Sequence, residues 1–145
     1  TKKILSINKQ MPTISTMANH WKSGRFSDLE WSSKTKIQIT TLDNLIKKFG
    51  NPQYIKIDVE GYELNVLKGL TKKSGIISFE ITSEFFSEAI KCLYYLKKLS
   101  YNNFTFSIGE RKKFFCEWSD YKTIINLIKK EIKKDKLFWA DIYCK

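Results

Sequence analysis

Histidine, arginine, glycine and proline are all scarce in this chain of 145 residues, at one, two, six and two copies. The lone histidine, His20, sits in a polar, aromatic stretch with no motif around it. Any Ser-His-Asp or Cys-His device would have to use it, so that chemistry finds no support. The three cysteines, Cys92, Cys116 and Cys144, are spaced by 24 and 28 residues and form no CxxC pair. That spacing argues against a structural zinc site, and no metal is assigned. An odd number of scattered cysteines also offers no disulfide framework, which fits a reducing cytoplasm. No apolar run approaches the ~18 residues a membrane span needs, and no signal-like N-terminus is seen. The glycines stand at positions 24, 50, 61, 69, 75 and 109, and no two of them form a G-x-G. A glycine-rich phosphate or cofactor loop is therefore missing from these residues.

What the chain has in excess is lysine. The net charge is +11, and 24 of the 26 basic residues are Lys, with only Arg25 and Arg111 as exceptions. Recognition of phosphates and bases leans on the planar Arg fork, so this balance argues against a nucleic-acid surface. Phe, Tyr, Met, Ile, Asn and Lys make up 69 residues, against 13 for Gly, Ala, Arg and Pro. The first group has A/T-rich codons and the second G/C-rich ones, so the lysine excess reads as genome composition. Hydrophobic residues reach 42%, and 21 positions are aromatic, enough to bury a core.

Periodicity places the elements. Residues 3–7 have strand composition before the breaker Pro12, and 13–34 read as a loop or irregular lid containing Trp21, Phe26 and Trp31. Those aromatics either pack on the core or contribute to an acceptor pocket. Residues 36–40 alternate as a half-buried strand. A helix then runs from an N-cap at Thr41 to Gly50 and Pro52. Residues 54–59 form a strand with Ile55, Ile57 and Val59 on one side, followed by a helix through Leu70. Residues 76–81 form the next strand. Thr82 or Ser83 caps a helix whose inner stripe is Phe85, Phe86, Ala89, Ile90, Leu93 and Leu96. Residues 101–108 read as a strand with 112–116 as a short hairpin partner, then a helix around Ile124, Ile125, Ile128 and Ile132, and a closing strand at 138–143. This alternation predicts an α/β fold, with a mainly parallel sheet covered on both faces. Ligands of such sheets bind beyond the carboxyl ends of the strands.

The polar residues at one such end carry the chemistry. In Ile55-Lys56-Ile57-Asp58-Val59-Glu60-Gly61-Tyr62-Glu63, Asp58 and Glu60 stand where a buried strand turns outward. Carboxylates there can orient an ammonium or hydroxyl, hold a metal, or accept a proton. The spacing is equally compatible with Glu60 and Glu63 stabilising the helix N-terminus through its dipole, and with Lys56 pairing with a neighbouring carboxylate.

The run IKIDVEGYELNVLKGL, residues 55–70, resembles the signature of the FkbM family of S-adenosylmethionine-dependent methyltransferases. TISTM (13–17), ITTLDNLIKKFGNPQ (39–53), IISFEIT (76–82) and ADIYCK (140–145) follow the family's order, so the resemblance spans nearly the whole chain. It implies a class I, Rossmann-like methyltransferase fold, with 101–108 and 138–143 as the antiparallel pair ending the sheet. It places Asp58 at the acidic position facing the methionine end of S-adenosylmethionine and the methyl acceptor, hence as both a catalytic and a cofactor-binding residue. Glu60 matches the second acidic position and shares the catalytic role, while Glu80 and Lys56 are expected to contact substrate.

The absent glycine-rich loop departs from the family pattern. It leads to the expectation that residues 1–145 are the C-terminal part of a single methyltransferase domain, with 1–35 as an irregular lid and 36–145 as the core. An incomplete Rossmann fold of that kind would lack competent cofactor binding alone and would leave a sheet edge and apolar helix faces exposed. The implied activity is O-methylation of a hydroxyl on a small molecule, a sugar or a glycan. The alternative is a noncatalytic, methyltransferase-like binding domain.

Overall fold

The computed structural model describes residues 1–23 and 26–145, so Gly24 and Arg25, within the expected lid, lie outside the described residues. Two sheets are present. In the first, β1 (Lys2–Ile7) pairs antiparallel with β2 (Ser33–Gln38). The chain between them is not wholly irregular. Short 3-10 turns form at Pro12–Ile14 and Asn19–Lys22, and Ser6 and Thr16 exchange backbone hydrogen bonds of 2.8 and 3.0 Å. β2 starts three residues earlier than its alternation predicts, because its register is set by β1 rather than by a buried face.

Helix α1 (Leu42–Phe49) starts where Thr41 caps the Asn44 amide and ends at Gly50, whose φ of +91° suits glycine. β3 (Tyr54–Ile57) leads to α2 (Glu63–Leu67), which ends short of Leu70. Its last turn tightens into i→i+3 bonds, Gly69 to Val66 and Leu70 to Leu67, both 2.9 Å. β4 (Ile76–Thr82) is followed by α3 (Phe86–Lys98). Neither Thr82 nor Ser83 caps that helix: a 3-10 turn at Ser83–Phe85 intervenes, and the Ser83 hydroxyl donates instead to the Lys136 carbonyl at 2.6 Å. β5 (Phe104–Ile108), α4 (Tyr121–Lys134) and β6 (Trp139–Cys144) complete the chain, with Asp120 capping α4 through the Lys122 and Thr123 amides. The expected hairpin strand at 112–116 does not form. Phe115 makes a single bond to the Phe106 carbonyl, and Ser119 bridges to Phe104.

The second sheet has the order β3-β4-β6-β5. β3 and β4 are parallel, but β6 runs antiparallel to both its neighbours. The expectation of a mainly parallel sheet is therefore corrected. Three of the four strands, β3, β4 and β5, do point the same way. However, the one reversed strand lies inside the sheet and turns two of three pairings antiparallel. Chain order reads neither the direction of β6 nor its neighbours: β5 and β6 are joined through α4 and still lie antiparallel.

Coverage on both faces is corrected too. Register puts Ile55, Ile57, Ile77, Phe79, Ile81, Phe104, Phe106, Ala140, Ile142 and Cys144 on one face, where Leu67, Leu93, Leu96, Ile124 and Ile128 from α2, α3 and α4 join them in a single core. The other face carries Tyr54, Lys56, Ser78, Glu80, Asp141, Tyr143, Thr105 and Ser107. β3 has no partner on its outer side among the described residues, and nearby Phe49, Leu45 and Tyr54 are exposed. No described helix is long and apolar enough to cross a membrane.

Candidate active site

The site forms where β3 ends. Past Ile57 the chain leaves the sheet, and Glu60 and Gly61 both take positive φ, +52° and +87°. For Glu60 this left-handed backbone is strained, with a cost of order 1–3 kcal/mol that its surroundings must offset. Three contacts do so. The Thr16 hydroxyl donates to the Glu60 carbonyl at 2.6 Å and itself accepts from the Ala18 amide at 2.8 Å. The Glu63 carboxylate accepts from the Gly61 amide at 3.1 Å and the Val59 amide at 3.4 Å. Trp21 packs against the turn so closely that a Cβ on Gly61 would meet its ring at 2.8 Å. Glu63 thus stabilises the turn through direct hydrogen bonds rather than by the helix dipole alone.

Two of the three aromatics of residues 13–34, Trp21 and Phe26, pack together. Trp21 is buried, its ring 5.3 Å from both Phe26 and Phe85, and His20 sits edge-on to Phe85 at 5.1 Å. Beneath Trp21 is a cavity of about 20 Å³, room for one water, lined by Gly61, Glu63, Thr82, Glu88 and Cys92. Trp21 and Thr82 are among its lining residues, and Trp21 Nε1 and Thr82 Oγ1 are buried with no hydrogen-bond partner among the described residues. Burial pushes the Cys92 thiol up, with Glu63 and Glu88 adding to the shift, so this cysteine is no nucleophile.

Four of the expected site residues come together here. Asp58 is exposed at the mouth, while Glu60 and Glu80 are half-buried. Lys56 reaches across β4 to Asp141, with Nζ at 3.2 and 3.3 Å from the two carboxylate oxygens, and stands 3.9 Å from Asp58. Burial pulls the Lys56 ammonium down, but Asp141, then Asp58, outweigh it and hold the group above its usual value. Glu60 is pushed up to about 8, first by burial and then by the charges of Glu80, Asp58 and Glu63. Glu80 is pushed up to about 7, again by burial first and then by Asp58, Asp141 and Glu63. Burial also raises Glu63 against its backbone hydrogen bonds. At neutral pH the cluster therefore holds protons that it can exchange with a ligand.

Asp141 and Thr16 border the site without having been expected in it, and Trp21 was expected only as one of three loop aromatics that either pack or contribute to a pocket. Asp141 sits opposite Glu80 in the β4–β6 register, 85 residues from Lys56. No local pattern could have found it. Thr16 and Trp21 lie in the loop, and the only local signal was the aromatic content. Among the described residues no group of three or more His, Cys, Asp or Glu is arranged to hold a metal ion.

The raised carboxyls have a consequence for stability. Between the unfolded value near 4.5 and the folded values of about 7 and 8, the native state binds more protons than the unfolded chain. Stability from this source is complete below about 4.5 and is lost as pH rises through 7 to 8. The thermal midpoint is expected to fall from pH 5 to pH 8.5, and Glu60→Gln and Glu80→Gln are each expected to flatten the fall. Parallel pH profiles of parent and variants would place the protons elsewhere.

A family model described as Methyltransferase FkbM domain matches residues 5–130. No curated protein and no solved structure matches the chain. The matched span includes Thr16, Trp21, Lys56, Asp58, Glu60, Glu63 and Glu80, and ends before β6 and Asp141.

Proposed function

The chain belongs to the FkbM methyltransferase family, and from that premise we propose that it forms the acceptor side of an S-adenosylmethionine-dependent O-methyltransferase acting on a hydroxyl of a small molecule, sugar or glycan. The observation that carries this reading is the proton-holding carboxylate cluster at the mouth of β3, with Asp58 exposed and its neighbours half-buried. Family membership implies a Rossmann-like frame, in which such strand ends receive ligands.

S-adenosylmethionine, when bound, supplies an electrophilic methyl on a sulfonium. The residues of this chain fit the cationic, methionine end of that group, because Asp58 offers an exposed carboxylate there. They do not fit its adenosine end: no G-x-G is present, and the one left-handed glycine at the site, Gly61, is filled against by Trp21. We assign the adenosine cradle to sequence outside residues 1–145, which form the later part of one domain. Within this chain, Asp58 orients the acceptor hydroxyl and takes its proton, and Glu60 shares a proton with the same oxygen. Glu80 and Lys56 contact the acceptor, and the Lys56–Asp141 pair fixes the floor beside it. Orientation and proton removal are what an in-line methyl transfer asks of the protein. Three free cysteines are compatible with work in a reducing cytoplasm.

The test is transfer of labelled methyl from S-adenosylmethionine, using protein with its natural flanking sequence and a panel of hydroxylated acceptors. Label is expected on an acceptor oxygen. Label on nitrogen would overturn the acceptor class, and binding of glycans without any transfer would support the noncatalytic alternative.

A further inference from the structure

The polar face of the sheet does not stop at the carboxylates. At its β5 edge lies a cleft of about 320 Å³, floored by Ser107 and Tyr143, walled by Phe114 and rimmed by Arg111, Lys112 and Lys113. That volume is in the range of small-ligand sites.

The wall is a built feature. Residues 111–119 fold back along the free edge of β5: the Phe115 amide donates to Phe106 at 2.7 Å, Thr105 Oγ1 donates to the Cys116 carbonyl at 2.7 Å, and Ser119 exchanges 2.8 Å bonds with Phe104. Successive side chains then fall on opposite sides. Phe115 stacks on Phe106 at 4.8 Å on the core side, while Phe114 meets Tyr143 at 5.1 Å and Trp118 at 5.6 Å on the polar side. Lys145 Nζ lies 4.3 Å above the Trp118 ring and adds a further cation nearby.

The charge on the rim is uncompensated. Arg111, Lys112 and Lys113 are exposed, and among the described residues none makes an ion pair or a side-chain hydrogen bond. Glu110 and Glu117 flank the segment in sequence without pairing with them. Asp141, opposite Ser107 in register, is the nearest carboxylate on the sheet face and is committed to Lys56. Composition accounts for the lysines but not for the arginine. With 24 Lys to two Arg in the chain, one of the two stands on this rim. A guanidinium offers the bidentate fork that a phosphate or carboxylate accepts.

We infer that this cleft is an anion site, taking a phosphate or carboxylate carried on a sugar ring that packs against Phe114 and Tyr143. Its role as the second contact of the methyl acceptor rests on the methyl-transfer reading above. Ser107, Asp141 and Glu80 occupy adjacent strands, which puts the cleft on the order of 10 Å from the carboxylates. Asp58, past the end of β3, is one strand further, roughly 14 Å from the cleft, so an acceptor of about three rings reaches from the hydroxyl at Asp58 to the anion at Arg111.

The experiment is binding followed by backbone amide shifts of the isotope-labelled protein at low salt. Glucose 1-phosphate, glucuronate and glucose are the probes, with a short single-stranded oligonucleotide as competitor. At least one anionic sugar is expected to shift Ser107, Lys112, Phe114 and Tyr143, while glucose does not. The tighter of the two identifies phosphate or carboxylate as the group recognised. Arg111→Gln and Lys113→Gln are each expected to weaken that binding about tenfold, leaving amides elsewhere unchanged. Equal response to glucose, shifts confined to other surfaces, or no binding by either anion would overturn the inference. So would an oligonucleotide that binds more tightly than both sugars. Because binding is read without methyl transfer, its failure with transfer intact removes only this inference. Intact binding without transfer removes only the functional reading.

Discussion

Asp58→Asn lowers methyl transfer by about two to four orders of magnitude, the contribution typical of a positioned acid–base group, and leaves the fold standing. The two halves of that expectation have separate physical grounds. Asp58 is the exposed member of its cluster, so an acceptor can reach it, whereas Glu60, Glu63 and Glu80 are partly covered. Its ion pair is the longer of the two that Lys56 makes, 3.9 Å against 3.2 Å to Asp141. Losing an exposed pair of that kind costs about 0–1 kcal/mol. Glu60→Gln is the informative contrast. With its carboxyl pushed up to about 8, Glu60 is mostly protonated at neutral pH, and the amide imitates that form. The measurement is initial rate at saturating methyl donor, with the thermal midpoint taken on the same samples. An Asp58→Asn enzyme within about threefold of the parent would leave the proton transfer without its assigned base.

Gly61→Ala costs about 2–5 kcal/mol, combining ~1–2 kcal/mol for a side chain at left-handed φ with ~1–3 kcal/mol for forcing an atom into a packed site. The structure supplies both parts: φ is +87°, and the new Cβ would sit 2.8 Å from the Trp21 ring. The parts separate in a double-mutant cycle with Trp21→Ala. Removing the ring relieves the closest contact, while the Cβ of residue 21 and His20 Nε2 stay at 3.2 Å and the backbone cost remains, so a coupling of about 1–2 kcal/mol is expected from denaturant unfolding. Purely additive losses would mean that Trp21 does not lie on the turn. Since the same turn sets the direction of Asp58 and Glu60, Gly61→Ala should also depress turnover in protein that remains folded.

How much of this was legible beforehand depended on range. Asp58, Glu60 and Gly61 announce themselves within six residues, because a strand running into a glycine turn is a local pattern. α1 was likewise legible from Thr41 and Gly50, whose capping roles are local. Ser83 misled, because its hydroxyl found the Lys136 carbonyl 53 residues away instead of the helix start beside it. The sheet order was illegible for the same reason: Glu80 faces Asp141 only after β6 has been placed, and no window of sequence contains both. Trp21 was visible as an aromatic in a polar loop, but what it covers depends on the positive φ of a residue 40 positions further on.

The place of β6 has a bearing on how the protein is made. β3, β4 and β5 are translated before it, yet β4 and β5 touch only through it. Before β6 has emerged, a nascent chain therefore has two inner strand edges unpaired and Phe79 and Phe106 separated by a gap one strand wide. Closure waits for residues 139–144. A premature stop after α4 would not trim the margin of the molecule; it would remove the middle of its sheet and hand the remainder to chaperones and proteases.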